Sequence, residues 1–401
     1  MKKSKISLAL ASMLLVSSAS FGNDKTDILK LQQEVKDLKE MTQILVDETS
    51  DLKTGFNYTK VDETKRYTGL GSAASKVYYS KSPLSIGGYG EMYYSSSQKA
   101  GSETQIKRFI TYFGYKFSDN IILNSELEYE GGGVKATSTG ATGDTVAVEF
   151  MYLDFIGNKN FNARLGNFLL PMGLMNEQHE PTLFTTIQRP NTAKYVIPTT
   201  WNTSGAMVYG EIADGIEYKA SIITALQITD TGDKWVRNGR GSGRLVKNPD
   251  AAGQVRVDYT GTSGLLIGAS SYFSKDLFMF DVHLDYKIGN ARVYGTYAQN
   301  KRVDTNASQQ VTANYGGFLN ASYNVASLLG TDKKTPLFVQ YERYNPQSEV
   351  SNGGTAGADI TDVTLGINFF PHEQVVLKAE YVISDNVATG NITGISLGFV
   401  F

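Results

Sequence analysis

Cysteine is absent from all 401 residues, which excludes disulfides, thiolate metal sites and cysteine nucleophiles. Histidine is nearly absent. His179, His283 and His372 fall on separate predicted elements, so a histidine-based catalytic or metal constellation has little to draw on. A charge excess is missing too: the formal net charge of -2 offers no basic face for nucleic acid. Beyond the N-terminus no apolar run approaches the ~18 residues that a membrane-crossing helix requires. A membrane protein of this composition must cross as strands, because only helices and closed barrels satisfy the backbone in lipid. What the chain does hold is 24 Tyr, 19 Phe and 40 Gly against 9 Pro, a mixture suited to many strands and tight turns.

The N-terminus divides into three parts. Residues 1–22 combine a basic start (Lys2, Lys3, Lys5), an apolar core from Ile6 to Val16, and small residues with Ser18/Ser20 or Ser20/Gly22 ahead of the cut. The pattern predicts a cleaved secretory signal rather than an N-terminal membrane anchor, since its core is too short to span a bilayer. Over 24–53, Ile28, Leu31, Val35, Leu38, Thr42, Leu45, Thr49 and Leu52 alternate three and four apart, forming one seam of a helix. The spacing predicts a short α-helical coiled coil in the periplasm, or alternatively a lone amphipathic helix lying on the barrel or on lipid. Residues 54–83 lack a sustained period and read as a linker. Within them Gly69-Leu70-Gly71-Ser72-Ala73-Ala74 loosely matches a dinucleotide fingerprint, but no strand precedes it and no helical pattern follows.

From 84 to 401 segments of alternating polarity recur. Val255, Val257 and Tyr259 alternate with Gln254, Arg256 and Asp258. Phe278, Phe280, Val282, Leu284 and Tyr286 alternate with Met279, Asp281, His283, Asp285 and Lys287. A charged face costs roughly 2–4 kcal/mol per Lys or Arg at mid-membrane, so it must face an aqueous interior. Short turns such as 118–120, 213–215 and 289–290 alternate with longer polar loops such as 131–144, 227–250 and 346–359. The pattern predicts an all-β fold: a sixteen-stranded antiparallel transmembrane β-barrel, at about 20 residues per strand and connection, with eighteen strands the next count. The final strand alternates Thr393, Ile395, Leu397, Phe399 and Phe401 with small or polar residues. Its terminal Phe resembles the signal read by the machinery that assembles outer-membrane barrels.

One connection, about 170–204, is long and carries Pro171, Pro181, Pro190 and Pro198. Loops of this length without secondary structure tend to be functional, and this is the third loop on the long-loop side. It offers Glu177, His179, Glu180, Arg189 and Lys194 as pore candidates. The facing wall adds Arg108, Lys116, Glu126, Glu128, Asp154, Arg164, Lys219, Arg256 and Lys378.

Lys107-Arg108 with Gly114 and Phe117, then Tyr152-Leu153-Asp154-Phe155, then Gly166-Asn167-Phe168 followed by Pro171-Met172-Gly173 resemble the phosphate-selective (O/P-type) porins of Gram-negative outer membranes. The match covers mainly 106–210. The resemblance implies a homotrimer of sixteen-stranded barrels with the third loop folded inward, and carries Arg108 and Asp154 over as pore residues. Where the family signature places a Lys, this chain has Leu169, and Leu170 does not restore the charge. Phosphate recognition uses dense Arg and Lys, whereas the third loop has two cations against two carboxylates.

The expected function is therefore an outer-membrane porin for passive diffusion of small polar solutes and ions, general or weakly selective. The alternatives are a phosphate- or anion-selective channel, or a structural protein tethering the envelope, with peptidoglycan as partner, through its coiled coil. The expected surroundings are outer-membrane lipids. An enzyme is not expected: His179 is the sole base in the third loop and Ser204 the only nearby serine. No cofactor or metal is expected either, since ligand pairs at fixed offsets are missing.

Overall fold

The computed structural model describes residues 24–53, 61, 66–131, 145–228, 232–241, 243–303, 310–351 and 354–401. The expected signal peptide and most of the 131–144 loop lie outside the described residues. The chain divides into two units, 1–59 and 60–401.

In the first unit, α1 (Asp24–Lys53) is one continuous helix, as the heptad spacing predicts. Leu31, Val35, Leu38 and Leu45 of the seam are all exposed. Thr42, also on the seam, turns its hydroxyl back onto the Leu38 carbonyl at 2.7 Å, so it leaves no polar donor pointing out of the stripe.

The second unit is a closed antiparallel barrel of sixteen strands. The first eight are β1 (Leu84–Ser97), β2 (Gly101–Ser118), β3 (Ile121–Glu130), β4 (Thr145–Ile156), β5 (Asn162–Leu169), β6 (Asn202–Ala213), β7 (Ile216–Thr224) and β8 (Ala251–Tyr259). The remainder are β9 (Leu265–Phe273), β10 (Leu277–Ile288), β11 (Ala291–Arg302), β12 (Val311–Asn324), β13 (Pro336–Val350), β14 (Ile360–His372), β15 (Val375–Ser384) and β16 (Ile392–Val400). Each strand pairs with the next, and β1 closes on β16 with Tyr89 opposite Val400. Closure leaves no unpaired strand edge. At the seam Gly88 and Phe401 exchange both backbone hydrogen bonds at 2.9 Å. A side chain on Gly88 would put its Cβ 2.7 Å from the Phe401 ring, so only glycine admits the ring there.

One end of the barrel carries tight connections, including 119–120, 214–215, 289–290 and 373–374, with 325–335 as its longer exception. The other end carries 131–144, 170–201 and 225–250. Two boundaries differ from the expectation. The third long loop closes at residue 201, because Asn202 already pairs with Leu169. Strand β13 continues through Pro346 to Val350. The proline is accommodated because pairing with β12 passes from Asn345 to Glu349 with an irregularity, and no ladder bond is asked of it.

The period-two faces are as read. Val255, Val257 and Tyr259 are exposed outward, while Gln254, Arg256 and Asp258 are buried inward. Exposed aromatic side chains stand near both strand ends: Phe117, Phe155, Tyr259 and Tyr323 towards the short turns, Tyr94, Tyr129, Phe273 and Tyr381 towards the long loops. Among the described residues no helix is long and apolar enough to cross a membrane.

Residues 66–80, expected as part of a linker, pack among inward-facing side chains at the short-turn end. They contain one turn of helix, α2 (Lys76–Tyr79). Val77 sits over Gly114 of β2, where a Cβ would come within 2.5 Å of it. The Tyr67 and Tyr78 rings stack at 3.7 Å, and their hydroxyls reach Tyr209 and Tyr152 at 3.2 and 3.1 Å. Asn124 donates to the Ala74 carbonyl at 2.9 Å and Lys116 to Ser80 at 2.7 Å. We call this segment the plug.

Candidate pore and constriction loop

Loops usually run over a protein surface because a buried backbone needs partners. Loop 170–201 enters the lumen because inward-facing polar side chains supply them. The Gly173 amide donates to Asp281 at 3.0 Å, and Arg256 donates to the Gly173 carbonyl at 2.6 Å. Asn300 and Asn314 donate to the carbonyls of Val196 and Tyr195 at 2.9 and 3.1 Å. Across the lumen, the Asn191 and Thr192 amides donate to Glu342 at 3.0 and 2.6 Å, and the Ile187 amide to Glu380 at 2.7 Å. Lys378 donates to the Phe184 and Thr186 carbonyls. The loop is therefore tied to the wall from β8 round to β15, and Asn176 ties its two ends together through the Leu170 and Trp201 carbonyls at 2.6 and 2.9 Å.

The plug and the loop also hold one another. The Glu180 carboxylate accepts from the Ala73 and Ala74 amides at 3.0 Å, and the Gly71 amide donates to the Glu177 carbonyl at 3.1 Å. A Cβ on Gly71 would lie 2.2 Å from a Glu180 carboxylate oxygen. The small-residue run 69–74 is thus a backbone cradle for an anion, as glycine-rich turns often are, and the anion is the protein's own Glu180.

Two vestibules are formed by the described residues. One, of about 410 Å³, opens at the long-loop end and is lined in part by Glu91, Lys107, Arg108, Glu130, Arg189, Lys194, Arg237, Glu342, Asp362 and Glu380. The other, of about 290 Å³, opens at the short-turn end and is lined in part by Arg66, Lys287, Arg292, Lys334 and Asn368. Phe184 is the one residue common to both linings.

Of the fourteen pore candidates, Arg108, Arg189 and Lys194 line the long-loop vestibule. Asp154, Arg164, Glu177, His179, Glu180, Lys219 and Arg256 are instead engaged with one another, the plug or the wall. Arg164 makes a double hydrogen bond to Asp154 at 2.8 and 2.9 Å, fully buried, and Tyr78 donates to the same carboxylate. Lys219 pairs with Glu177 at 2.7 Å and also donates to the Thr68 carbonyl. Arg256 pairs with Asp258 at 2.7 Å. Glu180 sits in the plug cradle, and His179 lies against Glu126.

Several vestibule groups were not among the sequence candidates. Glu342, Asp362 and Glu380 occupy inward positions that the alternation of β13, β14 and β15 marks. Arg237 and Arg240 come from the 225–250 loop and cap the end of the third loop, both donating to the Thr199 carbonyl, at 3.0 and 2.7 Å. Their loop has no period from which this placement could be read.

Burial, then the positive charges of Lys107, Lys234 and Arg237, pushes the Lys194 ammonium down to about 8. Burial, with Arg189 adding to it, holds the His179 imidazole down at about 4, so it is neutral at pH 7.

No family model matches the chain. Among solved structures, it is similar to OmpF of Salmonella typhi in complex with daunomycin (TM-score 0.56, 12% identity, covering 79% of this chain and 97% of that one). The outer membrane channel DcaP of Acinetobacter baumannii gives 0.53 and 12%, covering 79% and 97%. The anion-selective porin of Comamonas acidovorans gives 0.51 and 14%, covering 79% and 99%. At these identities the likeness is one of fold, that of the outer-membrane porin barrel. An uncharacterized protein of Aquifex aeolicus (strain VF5) is 33% identical over 353 residues, covering 80% of each chain. The chain belongs to the family of that Aquifex protein.

Proposed function

We propose that the protein is an outer-membrane channel through which small polar solutes and ions diffuse passively, passing through the lumen past the inward-folded loop. One observation carries the reading: two polar vestibules open at opposite ends of the barrel and share the buried Phe184 as a common wall. The outward face supports a place in the membrane, with aliphatic positions between two bands of aromatics. The short turns and α1 then lie in the periplasm. The exposed Leu31, Val35, Leu38 and Leu45 stripe supports association of α1 with further copies of itself, three in the trimeric reading.

The long-loop vestibule carries both signs, as a weakly selective pore does. A second reading, preference for anions and phosphate among them, is favoured by the cations that crowd Lys194. Lys107, Lys234 and Arg237 all lie near enough to lower its proton affinity. The third loop alone has only two cations, but its neighbours add to them.

Purified protein in a planar bilayer tests both readings. Stepwise conductance, in threes for a trimer, with a small reversal potential under a salt gradient fits the weakly selective channel. A strong anion preference with block by millimolar phosphate selects the second reading. Folded protein that passes no current overturns both.

A further inference from the structure

Glu126 on β3, Glu149 on β4 and His179 in the third loop converge at one point, with one ligand atom from each lying within 4.8 Å of the others. All three are buried, Glu126 and His179 almost completely. The His179 Nδ1 donates to the Asn176 carbonyl at 2.8 Å, which fixes the tautomer and leaves the Nε2 lone pair free. That Nε2 points at Glu126 Oε1 from 3.8 Å and has no hydrogen-bond partner. Neither Glu126 oxygen nor Glu149 Oε2 receives a hydrogen bond from a donor. Three lone-pair groups thus face one another with no hydrogen-bond donor among them, while the Arg108 and Arg189 guanidiniums act on them from outside the cluster and Arg189 donates to the His179 carbonyl at 3.3 Å.

The geometry points to a divalent metal ion held by Glu126, Glu149 and His179, stapling the third loop to the barrel wall. One imidazole nitrogen with carboxylate oxygens suits Zn²⁺ and its first-row neighbours, whose bonds to such ligands are about 2.0–2.2 Å. Ligands on one such ion stand about 3.4 Å apart, so the three side chains would draw inward around it. The Asn176 carbonyl is the outer partner that orients a metal-bound histidine. A proton shared between Glu126 and Glu149 would satisfy the carboxyl pair but would leave the Nε2 lone pair facing an acceptor. His283 provides the contrast. Its two nitrogens meet Asp281 and Asp258 at 2.7 and 2.8 Å, so it has no lone pair to offer.

The sequence conceals this site because the three ligands come from three elements and no two stand at a ligand-like offset. The ion would be bound whether or not the barrel conducts.

Untagged full-length protein, stripped with chelator and dialysed against micromolar Zn²⁺, should retain a single zinc per chain by elemental analysis. Glu126→Gln/Glu149→Gln should abolish retention and His179→Ala should weaken it at least tenfold, while His372→Ala, exposed at the end of β14, should leave it unchanged. Co²⁺ added to the stripped wild-type protein should give a visible d–d band that Zn²⁺ displaces, a readout that does not depend on any variant folding. No retained zinc in the wild type, equal retention in the double variant, or no Co²⁺ band would each overturn the assignment in favour of shared protons.

Discussion

The Lys378 ammonium lies 4.0 Å from the centroid of the Phe184 ring while donating to the Phe184 and Thr186 carbonyls at 2.9 and 2.8 Å. A single strand residue therefore fixes both the backbone and the ring at the wall that the two vestibules share. Lys378→Met keeps the stem and removes the donors, leaving two carbonyls unpartnered at about 1–3 kcal/mol each. Its single-channel current should be larger and noisier than that of the wild type. Phe184→Ala should enlarge the current without the noise. Unchanged conductance in both variants would move the constriction elsewhere.

Removing the plug should widen the passage further. A chain lacking 61–80 should conduct more than the wild type at equal voltage. Glu180→Gln should act in the same direction, because hydrogen bonds to a charged acceptor contribute about 1.5–3 kcal/mol and the neutral amide recovers only part of this. Limited proteolysis of the variant should cut within 66–80. A plug as resistant as in the wild type would show that Glu180 is dispensable to it.

The selectivity of the long-loop vestibule should depend on pH through Lys194. Its ammonium is charged below about 8 and neutral above. The ratio of anion to cation permeability should therefore fall as pH is raised from about 7 to about 9. Lys194→Met should show a lower ratio and a flatter profile. Reversal potentials under a KCl gradient read both.

Arg164 and Asp154 form a fully buried pair whose two members need each other. Asp154→Ala should cost about 3–5 kcal/mol, since it strands a buried guanidinium, whereas Arg164→Met/Asp154→Leu should recover most of that loss. Thermal unfolding followed by the loss of β circular dichroism distinguishes the two. Similar melting temperatures for single and double variants would count against the pairing.

The α1 seam should govern assembly rather than barrel folding. Leu38→Asp places a charge in a stripe where each buried leucine contributes about 1.5–3 kcal/mol. If α1 holds the proposed trimer together, the variant should fall towards monomer in native mass spectrometry and keep its β signal. Full-strength trimers would mean that the barrels hold the assembly without the helix.

The strand faces were legible because water and lipid impose opposite demands on alternate residues, as at Val255, Arg256, Val257 and Asp258. The third loop was legible through its prolines and its length. Which inward charges meet water was not. Alternation assigns Arg164 and Arg108 to the same inner face, yet only Arg108 reaches the vestibule, since Arg164 lies beneath Tyr78. Period two gives a side, not what stacks on that side. The plug was illegible for a related reason: its order comes from bonds such as Ala73 to Glu180, 107 positions apart, and no local pattern encodes such a pairing.

That last contact has a consequence for inheritance. Gly71 has no room for a Cβ beside the Glu180 carboxylate, and the carboxylate takes its hydrogen bonds from the backbone of the plug. A lineage that loses the plug takes the Ala73 and Ala74 hydrogen bonds away from an acid inside its barrel, and one that loses the acid leaves the cradle empty. The two should therefore be gained and lost together among descendants of a common ancestor. Glutamate at the place of Glu180 in a relative should foretell a small-residue run ahead of its first strand.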